Sequence, residues 1–380
     1  MASYQIIKII IAVWLAIGGI SFCVNQDSTL GKKFQEGFFM SGRMILSIAG
    51  IMTITPVLAA ILKPVIVPVF RLIGADPACF AILLGCDMGG YSLAISLAES
   101  QDVARMMGLA PAAMFGGTLT FAIPVAKAML TDEDFQLFSK GMLMGILTIP
   151  IGSISGGIIQ GVEWKTILIN NVPLVLFSIL LSLGFRFCPE RLVHATDIFG
   201  KVIAKLGIIG LIVGGFSYMT GFTVIPGMPS VMEGMKTVCG MVFLLAGTMP
   251  FLEFLTKAVS KPLNKIGRKA ALDTVSISGL FFTLASCVPT FAMMKDMTKR
   301  GIVINSAWLV CCVGLLGNQM GFLLQEAPEM LFPFVFAKVI AGGLGMVIVL
   351  HLTADMKEVQ EIKKYKNYDE RKRNYESIIN

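Results

Sequence analysis

The chain has 380 residues, 55% of them hydrophobic and only 14% charged, and its mean hydropathy is +0.79. A soluble domain carries about 25% charged residues, and the charges here are clustered, so the long stretches between them cannot build a water-facing surface. The composition specifies a polytopic all-α membrane protein, and the net charge of +7 is read as basic loops at the cytoplasmic surface rather than as a nucleic-acid footprint.

A crossing helix needs about 20 mostly apolar residues. In chain order the candidates are 5–23, 38–62, 105–130, 139–162, 166–187, 200–221, 233–256, 302–324 and 328–352. The first is followed by no small-residue cleavage pattern and is read as a retained accessory helix. Two further apolar stretches, 76–98 and 272–294, are interrupted. One contains Gly85-Cys86-Asp87-Met88-Gly89-Gly90 and the other Ser286-Cys287-Val288-Pro289-Thr290.

Orientation follows from lysine and arginine in short loops. Loops 186–205 and 257–269 and the charged tail 354–380 are basic and are placed in the cytoplasm, whereas 222–234 and 325–329 are placed outside. Segment 272–294 then has basic flanks on both sides, the second formed by Lys295, Lys299 and Arg300. With both flanks on one side it must go in and come back as a re-entrant hairpin with its tip at Cys287-Val288-Pro289. Such irregular backbone is tolerated only where protein or a watery cavity satisfies it. A kinked crossing helix is the alternative.

The halves resemble each other at an offset near 198–200. Ala49-Gly50-Ile51-Met52 echoes Ala246-Gly247-Thr248-Met249, Lys63-Pro64 echoes Lys261-Pro262, Cys86-Asp87 falls opposite Ser286-Cys287, and Lys140 opposite Lys338. If both interrupted stretches are hairpins, an odd number of steps separates the equivalent crossings and the repeat is inverted, as in many carriers. The expected architecture is a single membrane domain over 1–353, with repeats at about 38–162 and 233–352, about nine crossings plus two hairpins, and short interfacial helices at 64–74 and 261–271.

Acidic residues at membrane depth are expensive and functional by default, and two qualify. Asp87 lies among glycines that let a ligand approach the backbone, where helix-end carbonyls also favour a cation. Its plainer role is to cap the second half-helix. Glu253 stands four residues before Lys257, which favours a structural ion pair. Lys338 is read as a partner for Glu253 or as a snorkelling side chain. Neutral hydrogen-bonding candidates are Asn318, Gln319, Ser286, Thr290, Thr118 and Asn171, which could equally join helices. The run Gly152-Ser153-Ile154-Ser155-Gly156-Gly157 and the pair Gly342-Gly343 are read as close-packing faces. The eight cysteines show no CxxC spacing and there are only two histidines, so no metal or cofactor is expected. No carboxylate pair or Ser–His–Asp set suggests an enzyme.

Phe34-Gln35-Glu36-Gly37-Phe38, Thr55-Pro56-Val57-Leu58-Ala59, Cys86-Asp87-Met88-Gly89-Gly90, Thr148-Ile149-Pro150-Ile151-Gly152, Met293-Met294-Lys295 and Phe332-Pro333 resemble the ethanolamine-utilisation permease family over residues 30–352. The resemblance implies uptake of ethanolamine, a small cationic amine, across the bacterial cytoplasmic membrane, with Cys86, Asp87 and Met88 at the substrate and lipid as the surrounding partner. A homo-oligomer is compatible with this. The family pattern Gly-Asp-His-Leu-Gly-Phe is replaced here by Gly317-Asn318-Gln319-Met320-Gly321-Phe322, and Ala-Asn-Asn-x-Pro by Ala285-Ser286-Cys287-Val288-Pro289. Asp87 is then the main counter-charge for the amine. The rival readings are a sodium- or proton-coupled carrier of another small polar solute and a membrane receptor acting through the tail.

Overall fold

The computed structural model describes residues 3–83, 89–269 and 272–354, and among them only helices, turns and bends occur. Besides the single turn Ser41–Met44, the described α-helices are α1 (Ser3–Val24), α2 (Thr29–Phe39), α3 (Gly50–Leu72), α4 (Gly89–Leu97), α5 (Gln101–Gly108), α6 (Ala110–Gly117), α7 (Ile123–Met129) and α8 (Asp132–Gln160). They continue as α9 (Trp164–Phe187), α10 (Pro189–Thr220), α11 (Val231–Lys269), α12 (Thr274–Ala285), α13 (Cys287–Met294), α14 (Lys299–Cys312), α15 (Asn318–Glu326) and α16 (Leu331–Leu352). Wide π-helical turns at Ile45–Ala49 and Thr118–Ala122 join the pieces around α3 and α6–α7.

Eight helical stretches among the described residues are long and apolar enough to cross a membrane, so this is a multi-pass membrane protein. They account for eight of the nine expected crossings. The ninth, 302–324, is not a continuous helix. Instead, α14 ends at Cys312 and α15 begins at Asn318, with non-helical backbone between them. Gly314 permits this break by adopting φ +65°, a conformation that side-chain-bearing residues rarely take.

A second correction concerns Lys63-Pro64 and Lys261-Pro262. No separate interfacial helices begin there, because α3 runs unbroken through Pro56, Pro64 and Pro68, and α11 extends to Lys269. Proline is tolerated inside such helices because neighbouring groups satisfy the freed carbonyls.

Helix ends pair off at two faces. Arg71 bonds Glu99, Gln160 bonds the Asp102 carbonyl and Arg105 lies 3.7 Å from Glu329 at one face. At the other, Lys127 meets Asp132, Lys299 meets Glu133 and Arg300 bonds Thr353. Helix α8 is the central element between the faces and packs closely on α14 and α16. A Cβ on Gly152 would strike the Ala337 carbonyl, which places the 152–157 run in a packing face as expected. Gly342 is similarly enclosed by Cys312 and Trp308, whereas Gly343 faces open space and does not share that role. Helix α1 lies at the periphery, stacking Trp14 on Phe254 of α11 at 4.8 Å between ring centroids.

Candidate substrate site

Two aspartates that sequence reading passed over organise the interrupted stretches. Asp273 caps α12 by accepting from the Ser276 N–H (2.7 Å), and it also accepts from the N–H (3.1 Å) and hydroxyl (2.8 Å) of Thr298. Residues 25 positions apart are thus clasped together. Between them, the Thr283 and Thr290 hydroxyls are 2.9 Å apart and Thr290 donates to the Gly279 carbonyl at 3.2 Å. In one straight helix those groups would lie roughly 10 Å or more apart, so α12 and α13 lie side by side.

Asp76 does the same for the first interrupted stretch. It caps the Pro77–Ile82 turn through the Ala78 N–H (2.8 Å) and accepts from the N–H groups of Glu99 (3.1 Å) and Ser100 (2.7 Å). The signal was present in the sequence as an aspartate and a later serine or threonine recurring at an offset of about 198. The clasps lie at opposite faces. That of Asp76 is beside the Arg71–Glu99 pair and that of Asp273 beside Lys299 and Glu133.

The turn between α12 and α13 docks on the break between α14 and α15. Carbonyls at a helix C-terminus have no partner within the helix, and here the break supplies donors. Gly314 N–H bonds the Thr283 carbonyl at 3.1 Å, and Leu316 N–H bonds that of Leu284 at 2.8 Å. Gly317 lies so close to the Ala285 carbonyl that a Cβ could not fit. Ser286 has extended backbone, and its hydroxyl accepts weakly from the Val288 N–H at 3.4 Å to start α13.

The break brings some of the candidate residues together. Asn318 and Gln319 open α15 next to the Ser286 turn. The Gln319 amide also reaches toward Gly117 at the end of α6, the residue before Thr118. Phe322 on α15 meets the Tyr91 ring of α4 edge-on at 6.0 Å, which brings the leg of the first interrupted stretch to the same helix.

Other candidates have structural partners. Thr290 is spent on the α12–α13 contact, as described above. The hydroxyl of Thr118 donates to the Met114 carbonyl at 2.6 Å, supporting the π-turn. Asn171 is buried in α9, with its amide N–H donating to the Ile167 carbonyl at 2.8 Å. Its neighbour Asn170 accepts from the Asp76 N–H at 2.7 Å. Cys86, Asp87 and Met88 lie outside the described residues, as does the tail beyond Ala354.

Lys338 differs from its expected role. It neither snorkels nor pairs with Glu253, which instead meets Lys257 at 3.0 Å as the i,i+4 spacing suggested. The Lys338 side chain is fully buried, and its Nζ donates to Gln319 Oε1 at 2.6 Å and to the Val313 carbonyl at 3.4 Å, 5.4 Å from the Phe334 ring centroid. Its supposed counterpart Lys140 is exposed. Its isolation in an otherwise uncharged helix was visible in the sequence, but its contact with the amide of Gln319 was not.

A multi-pass helical bundle in which a clasped, doubled-back segment docks on a broken helix is a membrane architecture built around irregular backbone. Comparison with known proteins is more specific. The family model described as "Ethanolamine utilisation protein, EutH" matches residues 4–352, and the chain belongs to that family. The "Probable ethanolamine permease EutH" of Listeria monocytogenes is 36% identical over 96% of this chain and 98% of its own length. The protein of the same name from Escherichia coli is 36% identical over 84% of this chain and 85% of its own length. The "Uncharacterized protein YxeR" of Bacillus subtilis is 37% identical over 88% of this chain and 90% of its own length. The relatives that carry a functional name are named as permeases, not as enzymes. No solved structure matches.

Proposed function

We propose that the chain carries ethanolamine, or a closely related small amine, inward across the bacterial cytoplasmic membrane by alternating access. The observation that carries this reading is the break at 313–317 docked on the Ser286 turn, where backbone carbonyls and amide side chains meet without a described carboxylate. Such discontinuous helices are where carriers bind their substrates. The names of the relatives supply the amine.

On this reading Asp87 balances the ammonium, Asn318 or Gln319 takes the hydroxyl, and Cys86, Met88 and Ser286 close around the ligand. The stretches 76–98 and 272–294 are re-entrant hairpins in two inverted repeats, a reading supported by the equivalent clasps of Asp76 and Asp273 at opposite faces. The face carrying Lys299 and the end of α16 is cytoplasmic, by the placement of basic loops. The membrane unit spans 1–353, and 354–380 forms its cytoplasmic tail.

Binding to the purified protein tests the substrate. Ethanolamine is expected to bind saturably, choline and sodium not to compete, and Asp87→Asn to weaken binding at least 10-fold without loss of folded protein. Equal binding by the variant would refute the role of Asp87. A second reading, an ion-coupled carrier of another polar solute, is favoured by the amides at 318–319, where the family pattern has an acid and an imidazole. It requires uptake that follows a sodium or pH gradient.

A further inference from the structure

The environment of Lys338 is unusual for a cation. Seven residues after the start of α16, its side chain is roughly 10 Å along the helix axis, fully buried, and held by two carbonyl oxygens. Among the described residues no carboxylate pairs with it. Nζ also lies over the Phe334 ring, and the Cys312 thiol of α14 donates to the Lys338 backbone carbonyl at 3.3 Å. A charged side chain at membrane depth marks function by default.

The two oxygens are informative in themselves. The Val313 carbonyl is in the break between α14 and α15, and Gln319 Oε1 is in the first turn of α15. Carbonyl oxygens at a helix break, beside an aromatic face, form a cradle for a primary ammonium. An ethanolamine molecule and a lysine side chain present the same –CH2–NH3+ group. In this structure the cradle holds an amine that belongs to the chain.

We propose that Gln319 Oε1 and the Val313 carbonyl form an amine subsite of the transport path, and that Lys338 fills it in the empty carrier as a tethered stand-in for the substrate's ammonium. This rests on the amine-carrier reading above and adds to it a residue and a step. The substrate's ammonium enters between these oxygens only as Lys338 withdraws, leaving the hydroxyl to Asn318. The exclusion is electrostatic. Two ammonium groups about 5 Å apart, at an effective dielectric near 20, disfavour joint occupancy by a factor on the order of 100. Once substrate has left, Lys338 returns to the cradle, and the empty carrier can reorient with the site filled.

The test separates exchange from net uptake. In proteoliposomes, Lys338→Met should retain exchange of external for internal radiolabelled ethanolamine but lose net uptake at least 10-fold, because the empty site cannot reorient. Its ethanolamine affinity should rise at least 10-fold, since the internal competitor is gone. Lys338→Arg should keep the charge and bind ethanolamine more weakly than Lys338→Met. Equal loss of exchange and net uptake, or weaker binding in Lys338→Met, would overturn the proposal and make Lys338 a structural cation or the partner of a carboxylate.

Methylammonium provides a probe that does not depend on ethanolamine being the substrate. It should bind to purified Lys338→Met and not to the wild type, and the added change Gln319→Leu should abolish that binding. Wild-type protein that ignores ethanolamine would refute the substrate reading, while methylammonium binding to Lys338→Met would still decide the subsite. Absence of that binding in folded Lys338→Met would refute the subsite.

Discussion

At the scale of single residues, the decisive contact is the 2.6 Å hydrogen bond from Lys338 to Gln319. Removing the acceptor of a buried ammonium leaves that charge short of a hydrogen-bond partner, at about 1–3 kcal/mol. Gln319→Leu alone should therefore lower the thermal midpoint in detergent markedly. Gln319→Leu with Lys338→Met should recover most of the loss, because no charge is then stranded. A double mutant as unstable as Gln319→Leu would show that the contact is not what stabilises the break. The amides at 318–319 were legible in the sequence as candidates, since they stand between glycines in an apolar stretch. The lysine's role was not legible, because its partner comes from another helix and no local spacing encodes their meeting.

At the scale of elements, Asp273 holds the doubled-back segment closed. Burial pushes its carboxyl pKa up, but hydrogen bonds from the N–H and hydroxyl groups of Ser276 and Thr298 outweigh this and hold it below the ordinary carboxylate range. A depressed native pKa means that the unfolded chain takes up the proton first as pH falls. The stabilisation is therefore complete above the unfolded value of about 3.9 and is lost as pH falls through the native value. Asp273→Asn should cost about 1–2 kcal/mol at neutral pH and should flatten the acid limb of the thermal midpoint measured from pH 6 to 3. An unchanged acid limb would mean that the clasp contributes little.

Close packing offers a second test at this scale. Gly152→Leu should prevent α8 from approaching α16 and abolish folded protein, whereas Gly343→Leu, in open space, should be tolerated. Size-exclusion profiles of the two variants would distinguish them. The 152–157 packing face could be read from its small residues alone. The break at 313–317 could not, because 302–324 has the hydropathy of a continuous crossing and only the positive φ at Gly314 and the docking of Leu284 and Gly317 reveal the interruption.

At the scale of the whole molecule, the bundle and most crossings followed from hydropathy, since apolar length is the quantity that a membrane selects. Sequence repeats also pointed to paired interrupted stretches, although the strongest paired feature, the clasps of Asp76 and Asp273, was hidden among ordinary helix caps. The tail 354–380 has no part in the proposed transport cycle. Its deletion should leave solute flux within about twofold of the full chain, and loss of flux by a membrane-inserted truncation would favour a role through that tail.

In the proposed cycle this member of the EutH family moves ethanolamine through a site that requires Asp87. That requirement is tested most directly by radiolabelled ethanolamine uptake into proteoliposomes, comparing the wild-type chain with Asp87→Asn at equal reconstituted amounts. Uptake by the wild type is expected to be saturable and inhibited by unlabelled ethanolamine, and uptake by the variant to fall at least 10-fold to near the protein-free background. Equal saturable uptake by both proteins would contradict the site, and no uptake by folded wild-type protein would contradict the substrate.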